Sequence, residues 1–336
     1  MNAAQLETLR RAAGEGRPSA MTALGLCYLS GDPDCFDHDE GAGLLNRAAA
    51  LGDAEAHHGV AVLAAAGVCQ PQNWELAISH LLTSAELGWQ HAREQCRLLQ
   101  FPKNAAAARS ARSDIEDGAQ YPLDTIDIAA WLKPPVKRVI CDAPRVRTIE
   151  HFLPQSMCDW IIQRARHRLR PARVYDATTG GSSVVNTRTN TEVDFNIVET
   201  DLILLLVQAR IAAATGLPTI VMELTKVLHY APGQAFFPHY DFIDPHDTAF
   251  TAERQLRGQR LVTFLLYLNE GYEGGETDFP TAGIRYKGRT GDALYFANVD
   301  VNGDPDRRTL HAGLAPATGE KWLLSQWIRD RAPRRA

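Results

Sequence analysis

The pattern of hydrophobic and polar positions changes character along the chain. In the first hundred residues, alanine- and leucine-containing segments recur every 36 residues and end at Gly16, Gly52 and Gly88. Small residues let paired helices approach closely, and glycine readily adopts the left-handed conformation that ends a helix. A repeat of this length predicts an α-solenoid of stacked helical hairpins over residues 1–100.

Two further helices and then a series of strands are predicted in the rest of the chain. An amphipathic pattern predicts a helix over 155–169, and an apolar segment that ends at Gly216 predicts another over 198–214. The proline-punctuated stretch before about Val146 is predicted to be irregular. Runs of large apolar residues bounded by Gly, Pro or Asp predict strands over 223–230, 261–268, 293–297 and 321–328. The predicted fold class is α+β, in which helices support a β-sandwich or jelly roll.

Composition and charge exclude several classes of protein. Of the 336 residues, 45% are hydrophobic and 22% are charged, as in ordinary globular proteins. A net charge of −5 provides no basic surface for nucleic acid. No apolar stretch is long enough to span a bilayer, and the first residues lack a signal-peptide pattern. The six cysteines include no C-x-x-C pair, which favours reduced thiols. We therefore expect a cytoplasmic protein that binds neither nucleic acid nor membranes.

A small set of polar residues carries the candidate chemistry. His239-Tyr240-Asp241 is followed later in the chain by His311. Two imidazoles and one carboxylate on one face of a metal are typical of non-haem Fe(II) oxygenases, because they leave coordination positions free for a keto acid and O2. In an extended strand, residues 239 and 241 point to the same side. We predict that His239, Asp241 and His311 bind iron.

Lys321 opens a predicted strand of large apolar residues. At period two it shares a face with Leu323, Ser325 and Trp327. An ammonium group on an interior face is costly unless it meets a counter-charge. The distal carboxylate of 2-oxoglutarate would supply that charge. The alternative is a lysine at the mouth of the strand that extends into water.

Longer motifs around these residues carry a family resemblance. They include His229-Tyr230-Ala231-Pro232-Gly233-Gln234, His239-Tyr240-Asp241-Phe242, Arg260-Leu261-Val262-Thr263, Gly274-Gly275-Glu276-Thr277, His311-Ala312-Gly313 and Gly319-Glu320-Lys321-Trp322. In order and spacing, residues 146–330 resemble the prolyl 4-hydroxylase branch of the Fe(II)/2-oxoglutarate dioxygenases. The resemblance implies a double-stranded β-helix with His239, Asp241 and His311 as iron ligands and Lys321 as the anchor of 2-oxoglutarate.

The same resemblance implies further roles. It places Tyr230, Thr263 and Tyr267 around the co-substrate, and Arg188, Glu223 and Arg260 at positions that touch substrate. For Tyr267 the alternative is a half-buried strand tyrosine with a solvent partner. For Glu223 and Arg260 the alternative is a surface charge. The triplet Arg188-Thr189-Asn190 departs from the family's Arg-Thr-Ser, which leaves the identity of the substrate open.

The N-terminal motif Ala20-x-x-x-Leu24-Gly25-x-x-Tyr28-x-x-Gly31 resembles Sel-type repeats, relatives of the tetratricopeptide class. The resemblance implies a scaffold for protein interaction. The alternative is a helical cap that only packs on the second domain. The predicted organisation is a repeat domain over 1–100, a linker over 101–145 and a dioxygenase domain over 146–333.

The sequence thus predicts an iron- and 2-oxoglutarate-dependent dioxygenase that hydroxylates an unactivated C–H bond, forming succinate and CO2, with ascorbate as a candidate reductant. The expected substrate is a prolyl residue of a peptide or protein, and the repeats are candidates for binding a protein partner. Two alternatives stay open. One is a hydroxylase of a free amino acid or other small molecule, and the other is a non-enzymatic adaptor with a relic barrel.

Overall fold

The structure of the protein is a computed structural model that describes residues 3–32, 35–100, 126–176, 181–183 and 185–332. The chain divides into two compact units. Residues 1–133 with 196–206 form the first unit, and residues 134–195 with 207–336 form the second. Residues 101–125 of the predicted linker lie outside the described residues.

Three helical hairpins build the first unit. Their six helices are α1 (Ala3–Gly14), α2 (Pro18–Leu29), α3 (His38–Ala50), α4 (Ala54–Ala66), α5 (Trp74–Glu86) and α6 (Gln90–Leu99). The second helices of the hairpins begin at Pro18, Ala54 and Gln90, 36 residues apart. The turns contain Gly16, Gly52 and Gly88, each with a positive φ. The predicted repeat of helical hairpins is therefore confirmed.

Close approach of α2 to α3 depends on glycine. A Cβ atom on Gly25 would lie 2.9 Å from the carbonyl oxygen of Gly41, and one on Gly41 would lie 3.0 Å from the carbonyl oxygen of Gly25. Leu45, which is fully buried, packs beside this crossing. The two helices thus meet backbone to backbone, with leucine side chains filling the space around the contact.

The remaining helices are α7 (Ile128–Trp131), α8 (Gln155–Arg166), α9 (Leu202–Thr215) and α10 (Thr251–Arg257). The two helices predicted over 155–169 and 198–214 correspond to α8 and α9. None of the helices in the described parts of the chain is long and apolar enough to cross a membrane.

Antiparallel strands dominate the second unit. In chain order they are β1 (Arg138–Asp142), β2 (Arg145–Ile149), β3 (Arg170–Pro171), β4 (Val174–Asp176), β5 (Gly181–Ser183), β6 (Thr191–Phe195), β7 (Thr225–Tyr230), β8 (Phe236–His239), β9 (Arg260–Tyr267), β10 (Glu273–Gly274), β11 (Thr277–Phe279), β12 (Ile284–Tyr286), β13 (Ala293–Ala297), β14 (His311–Gly313), β15 (Pro316–Thr318) and β16 (Lys321–Arg329).

Two facing sheets form the predicted double-stranded β-helix. The major sheet has the order β1-β2-β13-β9-β16-β7-β6-β3, and the minor sheet has the order β12-β11-β14-β8. The core lies between them, where Phe279 of β11 meets Phe296 of β13 edge to face with ring centroids 5.0 Å apart. The four strands predicted from the sequence correspond to β7, β9, β13 and β16 of the major sheet.

One prediction of local structure is wrong. The stretch before Val146, predicted to be irregular, contains β1 and β2, which pair as an antiparallel hairpin. Pro144 lies in the turn between the two strands and therefore interrupts neither of them. Because β1 is an edge strand with mostly exposed side chains, its sequence lacks the apolar alternation of a half-buried strand.

Candidate metal centre

The register of the minor sheet brings two distant histidines together. His239 is the last residue of β8, His311 is the first residue of β14, and the two are paired across the antiparallel ladder. Directly opposed residues in such a ladder have Cβ atoms about 5 Å apart. Here the imidazole centroids lie 4.3 Å apart. The sheet itself therefore supplies two nitrogen donors on one face.

Asp241 completes the set from the segment that follows β8. The prediction that residues 239 and 241 share one extended strand is not met, because β8 ends at His239. The side chain of Asp241 nevertheless reaches both histidines. Its Oδ1 lies 3.6 Å from Nε2 of His239, and its Oδ2 lies 3.4 Å from Nε2 of His311.

These three side chains are suited to a single metal ion. One ligand atom from each lies within 4.8 Å of the others, and the described part of the chain holds no second group of three or more His, Cys, Asp or Glu residues with this property. Metal–ligand bonds of about 2.1 Å at right angles place donor atoms about 3 Å apart. Two nitrogens and one carboxylate suit Fe(II) and leave positions open for further ligands.

Backbone carbonyl groups orient both imidazoles. The Nδ1 of His239 lies 2.8 Å from the carbonyl oxygen of Phe237, and the Nδ1 of His311 lies 2.9 Å from that of Thr309. Because a carbonyl oxygen only accepts, Nδ1 must carry the proton in each ring. The lone pair on Nε2 is then free for the metal, as in other metal-ligating histidines.

The local electrostatics favour the metal-binding protonation states of His239 and Asp241. Burial lowers the pKa of His239, and the nearby ring of His311 lowers it further. Burial alone would raise the pKa of Asp241, but the two imidazoles outweigh it and hold that pKa well below its usual range. A neutral imidazole and an ionised carboxylate are the forms that bind a metal ion.

Lys321 is buried in the same pocket as the metal donors and has no acidic side chain at hydrogen-bond distance. It is fully buried at the start of β16, opposite Tyr230 of β7. Among the described residues its Nζ has no hydrogen-bond partner, and it lies 5.0 Å from the centroid of the Tyr230 ring. Burial lowers the pKa of Lys321 to about 7. The alternative of a lysine that extends into water is wrong, and an anionic group is the partner that this ammonium lacks.

One cavity is lined by both Lys321 and the metal donors. Lys321, Leu323, Ser325 and Trp327 all line it, as the period-two pattern of β16 predicts. Its other lining residues are Arg188, Lys226, Leu228, Tyr230, Phe236, His239, Asp241, Thr263, Leu265, Thr277, His311, Ala312 and Gly313. The site is thus a pocket whose wall includes a buried cation and three metal donors.

Two of the residues expected around the co-substrate are already engaged. The hydroxyl of Thr263 donates to Oδ2 of Asp241 at 2.6 Å, so its partner is a metal ligand. Tyr267 is fully buried and does not line the cavity, and its hydroxyl shares a hydrogen bond of 2.8 Å with Thr277. The alternative of a half-buried Tyr267 with a solvent partner is therefore wrong.

The residues expected to touch substrate are separated by the structure. Arg188 lines the cavity, forms an ion pair with Glu192 and lies 4.6 Å from the ring centroid of Phe236. Glu223 and Arg260 do not line the cavity. They form an ion pair of 2.6 Å in which the side chains of Arg260 and Glu223 are only 20% and 10% exposed, so the alternative of a solvated surface charge is wrong. Their contact with a substrate stays a prediction. Arg329 also bonds Glu223, at 2.7 Å.

Sequence reasoning missed three residues of the cavity wall. Phe236 stacks on His239 with centroids 3.5 Å apart, Thr277 holds the Tyr267 hydroxyl, and Lys226 lines the cavity while paired with Asp194. Thr277 ends the Gly-Gly-Glu-Thr motif and could have been found there. Lys226 could have been found by period two, because it alternates with Leu228 and Tyr230 on the same strand.

Comparisons with known proteins agree with this geometry. Residues 225–329 match the family model of the 2OG-Fe(II) oxygenase superfamily. Prolyl 4-hydroxylase 1 of Arabidopsis thaliana is 33% identical over 208 residues, which cover 58% of this chain and 72% of that relative. The chain belongs to the prolyl 4-hydroxylase family of 2OG-Fe(II) oxygenases. It is an enzyme, an iron- and 2-oxoglutarate-dependent dioxygenase, and the alternative of a non-enzymatic adaptor is not supported.

Two solved structures resemble parts of this dioxygenase. A viral collagen prolyl hydroxylase from Paramecium bursaria Chlorella virus-1, in its 2OG complex, is 30% identical and covers 56% of this chain and 98% of that chain, with a TM-score of 0.44. A Sel1 repeat protein from Oxalobacter formigenes is 24% identical and covers 31% of this chain and 83% of that chain, with a TM-score of 0.28.

The residues present fit both iron and 2-oxoglutarate. The donor set of His239, Asp241 and His311 suits Fe(II), and the unpartnered Nζ of Lys321 suits the distal carboxylate of a dicarboxylic acid. Hydrophobic walls between them exclude water, which strengthens charge pairing inside the cavity.

Proposed function

We propose that this dioxygenase hydroxylates a prolyl residue of a peptide or protein. The observation that carries the proposal is the 33% identity to a prolyl 4-hydroxylase over 208 residues, together with the full iron-ligand set and the buried cation within the stretch that matches the oxygenase family model. A cavity wall formed by the indole of Trp327 would suit the apolar pyrrolidine ring of proline.

Different residues of the cavity would bind the iron, bind 2-oxoglutarate and exclude water. His239, Asp241 and His311 would hold the iron, and Lys321 would pair with the distal carboxylate of 2-oxoglutarate. When bound, the iron supplies the oxidative chemistry that couples decarboxylation of 2-oxoglutarate to hydroxylation of a C–H bond. Leu228, Leu265 and Leu323 keep the pocket poor in water.

Contacts with two further residues support Trp327. The guanidinium of Arg260 lies 3.7 Å from the Trp327 ring centroid. Arg260 is in turn held by two hydrogen bonds to Glu223, of 2.6 and 3.1 Å. These contacts would help to orient the indole for a substrate.

A coupled assay tests the proposal. The purified full chain receives Fe(II), 2-oxoglutarate, ascorbate and one of three substrates: prolyl peptides, the same peptides with alanine in place of proline, or free L-proline. We expect succinate formation and a gain of about 16 Da only with the prolyl peptides. His311→Ala should abolish turnover, and His246→Ala, an exposed histidine outside the metal set, should not. Turnover of free proline with none of the peptides would replace the proposal by the small-molecule alternative.

We further propose that the protein is cytoplasmic, that ascorbate re-reduces its iron, and that the helical unit binds a protein partner. The six cysteines are free, as expected in a reducing compartment. Cell fractionation tests the location. Omission of ascorbate from multiple-turnover assays tests its role, and we expect activity to decline after a few turnovers without it. Affinity capture with residues 1–100 deleted from the bait tests the partner.

A further inference from the structure

A buried chain of hydrogen bonds leads from Asn298 to the metal-binding carboxylate. Asn298 directly follows β13 and is fully buried, and its Nδ2 donates to Oγ1 of Thr263 at 3.0 Å. The Thr263 hydroxyl lies in turn 2.6 Å from Oδ2 of Asp241. Thr263 is also fully enclosed, so water does not compete for these bonds.

The hydrogen bonds that link Asn298, Thr263 and Asp241 all donate in one direction, towards Asp241. A hydroxyl group has one proton to donate and two lone pairs that accept. The amide of Asn298 occupies one lone pair of Thr263, and the ionised carboxylate of Asp241 only accepts. The Thr263 proton must therefore point at Oδ2 of Asp241. Hydrogen bonds to an ionised acceptor are about twice as strong as those between neutral groups.

The amide orientation carries a cost that points to a role in the site. The carbonyl oxygen of Asn298 is buried and has no hydrogen-bond partner among the described residues. An unpaired buried acceptor costs about 1–3 kcal/mol. The opposite orientation would place that oxygen against Thr263, where it and Asp241 would compete for a single proton. The structure thus leaves one oxygen unpaired and keeps an N–H group directed at Thr263.

We propose that Asn298 is a positioning residue that acts through Thr263 to hold Asp241, so that Oδ1 is the oxygen offered to the iron. Binding through one carboxylate oxygen preserves the open positions that a keto acid and O2 require. Partners behind a metal ligand of this kind typically change metal affinity about 10–100-fold when removed. The inference concerns the iron site alone and does not depend on which substrate is hydroxylated.

Cobalt(II) titration of the metal-free full-length protein tests this role without turnover. The absorbance of bound Co(II) reports both affinity and coordination number. We expect Thr263→Val to raise the Kd about 10–100-fold and to change the spectrum. Thr263→Ser, which keeps the hydroxyl, should stay within about threefold of the wild-type Kd. Asn298→Leu should also raise the Kd, but it should add little in a protein that already carries Thr263→Val.

Thr225→Val is a matched control. Thr225 is likewise a buried threonine of the major sheet, and its hydroxyl bonds Gln326 at 2.7 Å, away from the cavity. The Thr225→Val substitution should lower the melting temperature and leave the Kd for Co(II) unchanged. The proposal would be overturned if Thr263→Val had the Kd and spectrum of the wild type. It would also be overturned if Asn298→Leu raised the Kd for Co(II) equally in the wild-type protein and in the protein that carries Thr263→Val. Thr263→Ala and Asn298→Ala replace the larger substitutions if those do not fold.

Discussion

Lys321 of β16 lies directly opposite Tyr230 of β7, and its ammonium is held over the tyrosine ring with no acid in hydrogen-bond reach. The two residues line the cavity that also holds the iron ligands. A fully buried charge in that position destabilises the protein until an anion enters. The binding of 2-oxoglutarate is therefore coupled to relief of this cost, and three consequences can be measured.

Replacement of the buried ammonium group should abolish turnover and increase the stability of the protein. We expect Lys321→Met to abolish 2-oxoglutarate-dependent turnover and to stabilise the metal-free protein by about 1–4 kcal/mol, because apolar replacement of a buried charge removes its desolvation cost. Differential scanning calorimetry without 2-oxoglutarate should show a higher melting temperature than in wild type. A lower melting temperature would contradict a buried, unpaired lysine.

The difference in stability between the wild type and Lys321→Met should depend on pH, and the pKa of Lys321 sets the sign of that dependence. The pKa of Lys321 is about 7 in the folded protein and near 10.4 in an unfolded chain. Between these values the unfolded state binds more protons, so wild-type stability rises with pH across that window. The advantage of Lys321→Met should be largest below pH 7 and should disappear as the pH approaches 10. Melting temperatures measured at several pH values check this.

Co-substrate binding should take up a proton at alkaline pH. Above pH 7 the free Lys321 is largely neutral, yet only the ammonium form pairs with a carboxylate. The affinity for 2-oxoglutarate should therefore fall about tenfold per pH unit above 7. Anaerobic calorimetry of the Mn(II)-loaded protein, in two buffers of different ionisation enthalpy, should reveal proton uptake at pH 8.

Lys321→Arg is the matched variant, because a guanidinium stays charged throughout this range. Whatever its absolute affinity, its pH dependence should be flat. An equally flat profile from pH 6 to 9 in the wild type would show that Lys321 remains charged in the absence of 2-oxoglutarate.

The iron ligands and the central strands could be predicted from sequence for different reasons. Strands β9 and β16 lie in the middle of the major sheet, so their sequences are nearly continuous runs of large apolar residues. Strands β8 and β14 have only four and three residues and no such pattern. Their histidines were found because a metal site requires particular donor types, whatever the local structure.

Partners that depend on the register of the sheet could not be predicted. Period two places Thr263 on the cavity side of β9, but only the folded structure brings Asp241 and Asn298 to its hydroxyl. Similarly, Glu223 and Arg260 look like solvated charges in the sequence. In the structure they pair with each other, and the buried Arg329, more than sixty residues away in the chain, supplies a second cation. Such ion-pair networks form from long-range packing rather than from any local pattern.

The network around Glu223 should contribute to stability and not to co-substrate binding. Burial raises the pKa of Glu223, but Arg260 and Arg329 outweigh it and lower that pKa to about 2. We expect Glu223→Gln to destabilise the protein by about 1–3 kcal/mol at pH 7, because Arg260 loses its carboxylate partner and Arg329 keeps only Glu253. The KM for 2-oxoglutarate should stay unchanged, because Glu223 does not line the cavity.

Stability measurements at acid pH distinguish the loss of the Glu223 ion pairs from a loss of packing. A glutamate with a depressed pKa stabilises the fold above its unfolded pKa of about 4.3, and this contribution is lost as the pH falls towards 2. The difference between wild type and Glu223→Gln should therefore shrink over that range in urea unfolding experiments. Asp278→Asn, which disrupts the pair with the exposed Arg285, should cost about 0–1 kcal/mol at pH 7.

The helix crossing in the first unit offers a test that is independent of the active site. A Cβ on Gly25 would lie 2.9 Å from a backbone carbonyl oxygen of α3, which cannot move aside as a flexible side chain can. Gly25→Ala should therefore destabilise the helical unit by about 1–3 kcal/mol.

Gly43→Ala, on the facing helix α3, is the matched control, because its Cβ would meet only the end of the Arg47 side chain at 3.5 Å. Alanine is favoured over glycine inside a helix by about 1 kcal/mol, so this variant should be neutral or more stable. Equal melting temperatures for the two variants would show that α2 and α3 are not in backbone contact at Gly25.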